Sequence, residues 1–176
     1  SWEGAFYTIN HAIASVVGTE QNPINIYLAE GVYSPSTNGE IFPIDMISYV
    51  NLIGQGEEVT ILDAEQTGNV IIMENCDNNT ISGLSITGGA AENSNNKGGG
   101  MYLYNSNPYI TNINITFNTA ESWGGGMFLE ISSPTMAHIN ISDNSGLWGG
   151  GMFLYESSNP TMTYMKISNN SAGEGG

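Results

Sequence analysis

The sequence predicts an all-β chain wound as a single-stranded, right-handed parallel β-helix of about six rungs, with a capping α-helix at its N-terminus. Two observations carry most of this reading. The first is a repeat: Met101, Met127 and Met152 each follow three glycines (98–100, 124–126, 149–151) and stand 26 and then 25 residues apart. Self-similarity at that period marks a solenoid, in which each unit buries its apolar face only against its neighbours.

The second is the pattern inside one unit. Apolar residues alternate with period two at Met101 and Leu103, and at Ile113 and Ile115, then stop at Gly, Asn, Ser or Pro. Nothing recurs at helical spacing, so each repeat reads as short strands joined by tight turns. Stacked rungs, about 4.8 Å apart, place equivalent residues above one another, and the columns are uniform. Met101, Met127 and Met152 align, as do Leu103, Leu129 and Leu154, and both columns are assigned to the interior. Pro108, Pro134 and Pro160 mark one corner. Asn118, Asn144 and Asn170 mark another, where the Asn itself is expected to take a left-handed conformation and hydrogen-bond its stacked copies. The triple glycines supply a turn or a close approach that a Cβ forbids.

Taken in order, residues 1–18 carry one helical pattern, with Phe6, Ile9, Ile13, Val16 and Val17 near one face and Gly18 ending it. This is the expected N-terminal cap, needed because a solenoid end exposes unpaired strand edges. Residues 19–97 form irregular rungs: a first strand over 24–33, a Pro/Ser/Asn/Gly loop, a second rung over 49–62, a third from Val70 to Ile86, and an Asn/Ser-rich excursion from Gly88 to Lys97. Residues 98–176 are the regular repeats. They stop two residues into a further Gly-Gly unit without a capping element, so either the solenoid continues or something docks there. Self-association through that end is therefore a candidate partnership.

Gly-Gly-Gly-Met together with Ile-x-x-Asn (Ile115 to Asn118, Ile141 to Asn144, Ile167 to Asn170) resembles the GGAI and FxxN repeats of the chlamydial polymorphic outer-membrane proteins, with Ile in place of Phe and Met in place of the final Ile. More broadly the chain resembles the pectate-lyase-like superfamily of parallel β-helices. The opening is similar to that of many secreted bacterial β-helix domains, whose cap helix leads into a strand ending in an A-x-G-x-Y turn, here Ala29 to Tyr33. These resemblances imply the architecture and a domain start near Ser1. They leave function open, because this fold hosts lyases, hydrolases, adhesins and structural proteins.

Charge narrows the partners. The chain has 17 acidic residues against two cations, Lys97 and Lys166, for a net charge of −15. Nucleic acids and anionic membranes both need a basic face, so neither is expected, and no apolar run reaches membrane-spanning length. The single Cys76 cannot form an internal disulfide and reads as a small buried hydrophobe. Few cysteines and lysines with abundant Asn, Gly, Ser and Thr fit a secreted or cell-surface protein. The sequons at Asn78, Asn114, Asn140 and Asn169 matter only if the source glycosylates.

The chemistry of the fold's enzymes is not matched. The lyases of the superfamily, as the resemblance implies, use calcium-binding carboxylates with an Arg or Lys base; here there is no Arg, and Lys97 and Lys166 lie far apart. A hydrolase needs carboxylates about 5 to 9.5 Å apart. Glu130, Asp143 and Glu156 are candidates without the clustered pattern of that branch. His11 and His138 lack a nucleophile at useful spacing and read as structural. No catalytic residue and no cofactor is assigned: Gly54-Gln55-Gly56 reads as a turn, and the acid that a calcium-binding nonapeptide places after its glycines is missing. Incidental Ca²⁺ at Asp63 and Glu65, or at Glu74 and Asp77, is the remaining metal reading.

Binding residues are expected in two aromatic sets. Tyr102, Phe128 and Phe153 alternate with the inward Met and Leu and so should point outward, and Trp123 with Trp148 should form a second pair in the loops before the glycines. Exposed aromatic ladders are platforms for sugar rings or a protein partner. The functional expectation is an extracellular structural or adhesive module, a surface stalk or filament subunit rather than an enzyme. The alternative is a carbohydrate-binding or carbohydrate-processing domain.

Overall fold

The computed structural model describes residues 4–92 and 97–174, and it is an all-β parallel solenoid of about six turns with one short N-terminal helix. The first strands are β1 (Ile24–Tyr27), β2 (Gly31–Tyr33), β3 (Ile44–Asp45), β4 (Val50–Ile53) and β5 (Thr60–Asp63). Next come β6 (Ile71–Glu74), β7 (Thr80–Thr87) and β8 (Ala90–Ala91). Three regular coils follow, as β9 (Met101–Tyr104), β10 (Tyr109–Thr116) and β11 (Thr119–Trp123), then β12 (Met127–Glu130), β13 (Thr135–Ser142) and β14 (Ser145–Trp148), then β15 (Met152–Tyr155), β16 (Thr161–Ser168) and β17 (Ser171–Glu174).

These strands build three parallel sheets. One runs β1-β4-β7-β10-β13-β16, with β2 and β5 beside its early members; the second runs β3-β6-β9-β12-β15; the third runs β8-β11-β14-β17. In the early rungs the first sheet is laid down as two short strands separated by a loop. From β7 onward one eight-residue strand does both jobs, since its first half pairs with β4 and its second half with β5. Where the loop is gone a single left-handed residue remains, at Gly83, Asn112, His138 and Tyr164.

The expected interior columns are present. Met101, Met127, Leu103 and Leu129 are fully buried, and with Ile81, Ile110, Ile113, Ile115 and Ile141 they form one continuous core. Burial of such side chains contributes about 1.5 to 3 kcal/mol each. In the last described coil Met152 is half-buried and Leu154 exposed, because β15 has a neighbour on one side only.

The triple-glycine corner is steric in origin. Gly124 has φ 64°, and a Cβ on Gly100 would stand 2.6 Å from the Gly126 carbonyl oxygen in the coil above. The absence of that Cβ lets the Gly99 and Gly100 N–H groups donate to Gly124 and Gly125 oxygens at 3.2 Å.

The asparagine corner differs in one respect from expectation. The left-handed residues are those preceding the column, Phe117, Asp143 and Asn169, while Asn118, Asn144 and Asn170 turn inward. The Asn144 carboxamide oxygen accepts from the Asn118 N–H at 2.9 Å and from its side-chain NH₂ at 3.0 Å, and Asn170 does the same for Asn144 at 3.0 Å each. Each NH₂ also donates to a carbonyl one coil down, from Asn118 to Ile86 and from Asn144 to Ile115. A buried serine column at another corner works alike: the Ser106 N–H donates to Ser132 Oγ and the Ser132 N–H to Ser158 Oγ, both at 3.1 Å. Cys76 begins this column, its N–H donating to Ser106 Oγ at 2.9 Å, and burial pushes its thiol pKa up.

The cap is shorter than the predicted 1–18. Helix α1 spans Ile9–Ala14 and buries Ile9, Ala12 and Ile13, whereas Phe6 and Val17 are exposed, and residues 1–3 lie outside the described part. Thr8 caps it by accepting from the His11 N–H. A second acceptor comes from far along the chain: the buried Glu40 carboxylate takes the Ile9 N–H at 2.5 Å and the Asn10 N–H at 3.2 Å, pinning the helix to the first coils.

Two stability predictions follow from the corners. Asn144→Ala strands a buried N–H on Asn118 and the Ile115 carbonyl, and should cost about 2 to 4 kcal/mol, read as a lower urea midpoint. Ile131 is β-branched and sits at φ 52°, where the coil below has Asn105, whose NH₂ donates to Asn75 Oδ1 at 2.8 Å. Ile131→Asn should therefore raise stability by about 1 kcal/mol, and an unchanged or lower melting temperature would refute the strain argument.

Candidate binding face

The aromatic face is built around the glycine corner. Trp123 ends β11 and Phe128 lies second in β12, so the tight turn through 124–126 folds one sheet against the next and brings the two rings to 6.3 Å between centroids. Register stacks Tyr102, Phe128 and Phe153 in one column, with centroids 5.7 and 5.8 Å apart and the two phenylalanines within 6° of parallel. Trp123 and Trp148 face each other in a second column. They lie in strands rather than in loops, which corrects the sequence expectation.

A further correction concerns exposure. Tyr102 and Phe128 are on the outward side of their strands yet retain only 8% and 1% of their accessible surface. The cover is Lys97. Its Nζ lies 5.0 Å from the Phe128 centroid, 5.6 Å from Trp123 and 5.8 Å from Tyr102, and it pairs with Glu130 Oε2 at 2.9 Å. The Tyr102 hydroxyl donates to the same carboxylate oxygen at 3.2 Å. An ammonium held by three ring faces and one carboxylate is a cation–π lock, and each ring face contributes on the order of 0.5 to 1 kcal/mol at a partly solvated site. Burial, and then the charge of Glu130, hold the Tyr102 phenol well above its ordinary pKa.

The sequence pattern places Lys97 in a loop and Glu130 among dispersed acidic candidates, and the structure joins the two. The signal was in the register. Lys97 bridges to Trp123 and so occupies the tryptophan column, and Glu130 replaces the tyrosine of Tyr104 and Tyr155 in its own. The aromatic surface that stays open is one coil higher: Trp148 at 37%, Tyr155 at 47%, and Phe153 half-buried between the stacks.

The other candidates are dispersed. Asp143 sits at the left-handed corner between β13 and β14, away from Glu130 at the end of β12, while Glu156 follows β15. Glu65 takes the hydroxyls of Ser34 and Ser36, which lower its pKa, and Asp63 accepts the Glu65 N–H at 2.9 Å, so this acidic pair organises a turn. Among the described residues no group of three or more His, Cys, Asp and Glu is placed to hold a metal ion. His11 packs edge-on against Phe6, and His138 stacks on Tyr164 with centroids 4.6 Å apart. Of the sequon asparagines, Asn78 and Asn169 are exposed at left-handed positions, whereas Asn114 and Asn140 are half-buried in one outward column. Among the described residues no helix is long and apolar enough to cross a membrane.

Three parallel sheets, coil stacked on coil with in-register columns, define the class as a parallel β-solenoid. The chain belongs to the family described as the right-handed β-helix region, whose model matches residues 49–175. Neither the curated proteins nor the solved structures include a match to this chain.

The lock has a pH signature. A phenol whose folded pKa lies above its unfolded value of 10.0 contributes stability that is complete below that value and is lost as the pH rises through the folded one. Tyr102→Phe should cost about 1 kcal/mol at neutral pH, from the lost bond to Glu130, and reduce the loss of stability above about pH 10. Equal alkaline slopes for the two proteins, from urea midpoints across that range, would count against the assignment.

Proposed function

We propose that the chain is a structural or adhesive module of a secreted, cell-surface protein, a segment of a rigid stalk or filament. The observation that supports this most is the rung-to-rung identity of the columns, from Met101, Met127 and Met152 to the Asn118, Asn144 and Asn170 ladder, which spends the repeat on stiffness along one axis. The resemblance of its Gly-Gly-Gly-Met and Ile-x-x-Asn repeats to the chlamydial polymorphic outer-membrane repeats fits the same setting. With a charge of −15, the partners of such a rod are neither nucleic acid nor anionic lipid. Self-association through the last coil extends the rod.

A second reading keeps the aromatic face as a glycan site, favoured by the partial exposure of Trp148 and Tyr155 beside Phe153. Sugar rings stack on such faces, and their neutral hydroxyls are indifferent to the surrounding negative charge. The burial of Tyr102 and Phe128 confines any platform to this upper rung.

One experiment separates the two. Small-angle scattering and negative-stain microscopy of the protein, run beside a neutral-glycan array, should show an elongated particle and no retained glycan. Retention that disappears in a Trp148→Ala, Tyr155→Ala double variant would replace the rod reading with the glycan reading.

A further inference from the structure

The loop over 34–40 fastens α1 to the first coils. The Ser34 carbonyl accepts from the Asn38 and Glu40 N–H groups, both at 3.2 Å, and the Glu40 carboxylate then takes the Ile9 and Asn10 N–H groups at the start of the helix. Asn38 is held at both ends of its carboxamide. Its Oδ1 accepts the Ser34 N–H at 3.0 Å, and its Nδ2 donates to the Tyr7 carbonyl at 2.9 Å, one residue before the Thr8 cap. Asn38 therefore ties the segment that enters the helix to the loop that holds the helix.

The residue after it makes this tie chemically labile. Asn38-Gly39 is the one Asn-Gly pair in the sequence. Gly39 is exposed at φ 74°, a Cβ there would meet nothing within 4 Å, and its N–H finds no hydrogen-bond acceptor among the described residues. A glycine nitrogen has no neighbouring side chain to obstruct its attack on the carboxamide carbon of the preceding asparagine. Asn118 and Asn144 of the ladder, by contrast, are buried and precede Thr119 and Ser145.

We propose that Asn38 is a deamidation site whose conversion releases the N-terminal cap. The Gly39 nitrogen loses its proton and bonds to Asn38 Cγ, the Cγ–Nδ2 bond breaks, and Nδ2 leaves as ammonia; water then opens the succinimide to aspartate or isoaspartate. The two hydrogen bonds restrain the carboxamide while the loop is closed, so attack follows local opening of this exposed turn. Neither product restores the tie. Aspartate has no proton for the Tyr7 carbonyl and sets two acceptors against each other, while isoaspartate adds a carbon to the main chain two residues before Glu40. The step runs one way, and it loosens a helix whose buried side, Ile9, Ala12 and Ile13, covers the first coils.

The test is to age the whole chain in mildly alkaline buffer and follow it by peptide mapping with isoaspartate detection, beside Asn38→Gln and Asn38→Asp. The parent should gain aspartate and isoaspartate at Asn38 ahead of Asn105 and Asn144, each of which precedes a serine. Asn38→Gln should gain none there, because the longer side chain must close a six-membered ring. Asn38→Asp should melt about 2 to 8 °C below the parent and exchange its Ile9 and Asn10 amides faster. Should that variant fail to fold, the aged fraction, separated from the parent by its added charge, gives the same two readings. An Asn38 that stays intact, or converts no sooner than Asn105 and Asn144, overturns the proposal. So does a converted protein with the melting temperature and helix exchange of the parent.

Discussion

Everything in this molecule depends on how closely one coil lies on the next. At the triple-glycine corner the Gly100 backbone faces the carbonyl of Gly126 with no room for a methyl group between them. Because those backbones meet, the N–H groups of each coil reach the oxygens of the next in unbroken order. The same spacing turns identical side chains into columns. It lets a methionine pack on a methionine, and lets the carboxamide of Asn144 serve the backbone and side chain of Asn118 together. A polar ladder within an apolar interior is stable only when each member is satisfied by its neighbour, and here the repeat arranges this without further instruction.

Among the described residues two buried carboxamide oxygens fall outside this pattern. Asn79 is buried, and its NH₂ reaches the Ile47 and Val50 carbonyls at 2.7 Å, yet its oxygen has no hydrogen-bond partner. The oxygen of Asn140, on the outward column of β13, is likewise without a hydrogen-bond partner. The lock of Lys97 on Tyr102, Trp123, Phe128 and Glu130 stands where the irregular rungs join the regular ones.

Function on such a scaffold is a matter of what the outer surface leaves free. Stacking conceals most of the aromatic column, since each ring covers the next and Lys97 closes the lower end. What remains open of the aromatic surface is Trp148 and Tyr155, while Tyr109, Phe117 and Ile131 stand exposed singly along the coils and an apolar groove lies beside β1.

The sequence by itself determined the solenoid, its period, the inward Met and Leu columns and the place of each corner, because every coil meets the same environment and so repeats the same residues. It also located the cap, though Phe6 and Val17 fall outside α1, whose N-terminus is held by Glu40 from some thirty residues away. Only the tertiary structure decided which corner residue is left-handed, that Phe128 is covered, and that Lys97 meets Glu130. Those depend on contacts between residues about one coil apart in the chain that break the repeat, a lysine in a tryptophan column and a glutamate in a tyrosine column. A pattern shows where such residues stand, and the three-dimensional stacking alone shows what they touch.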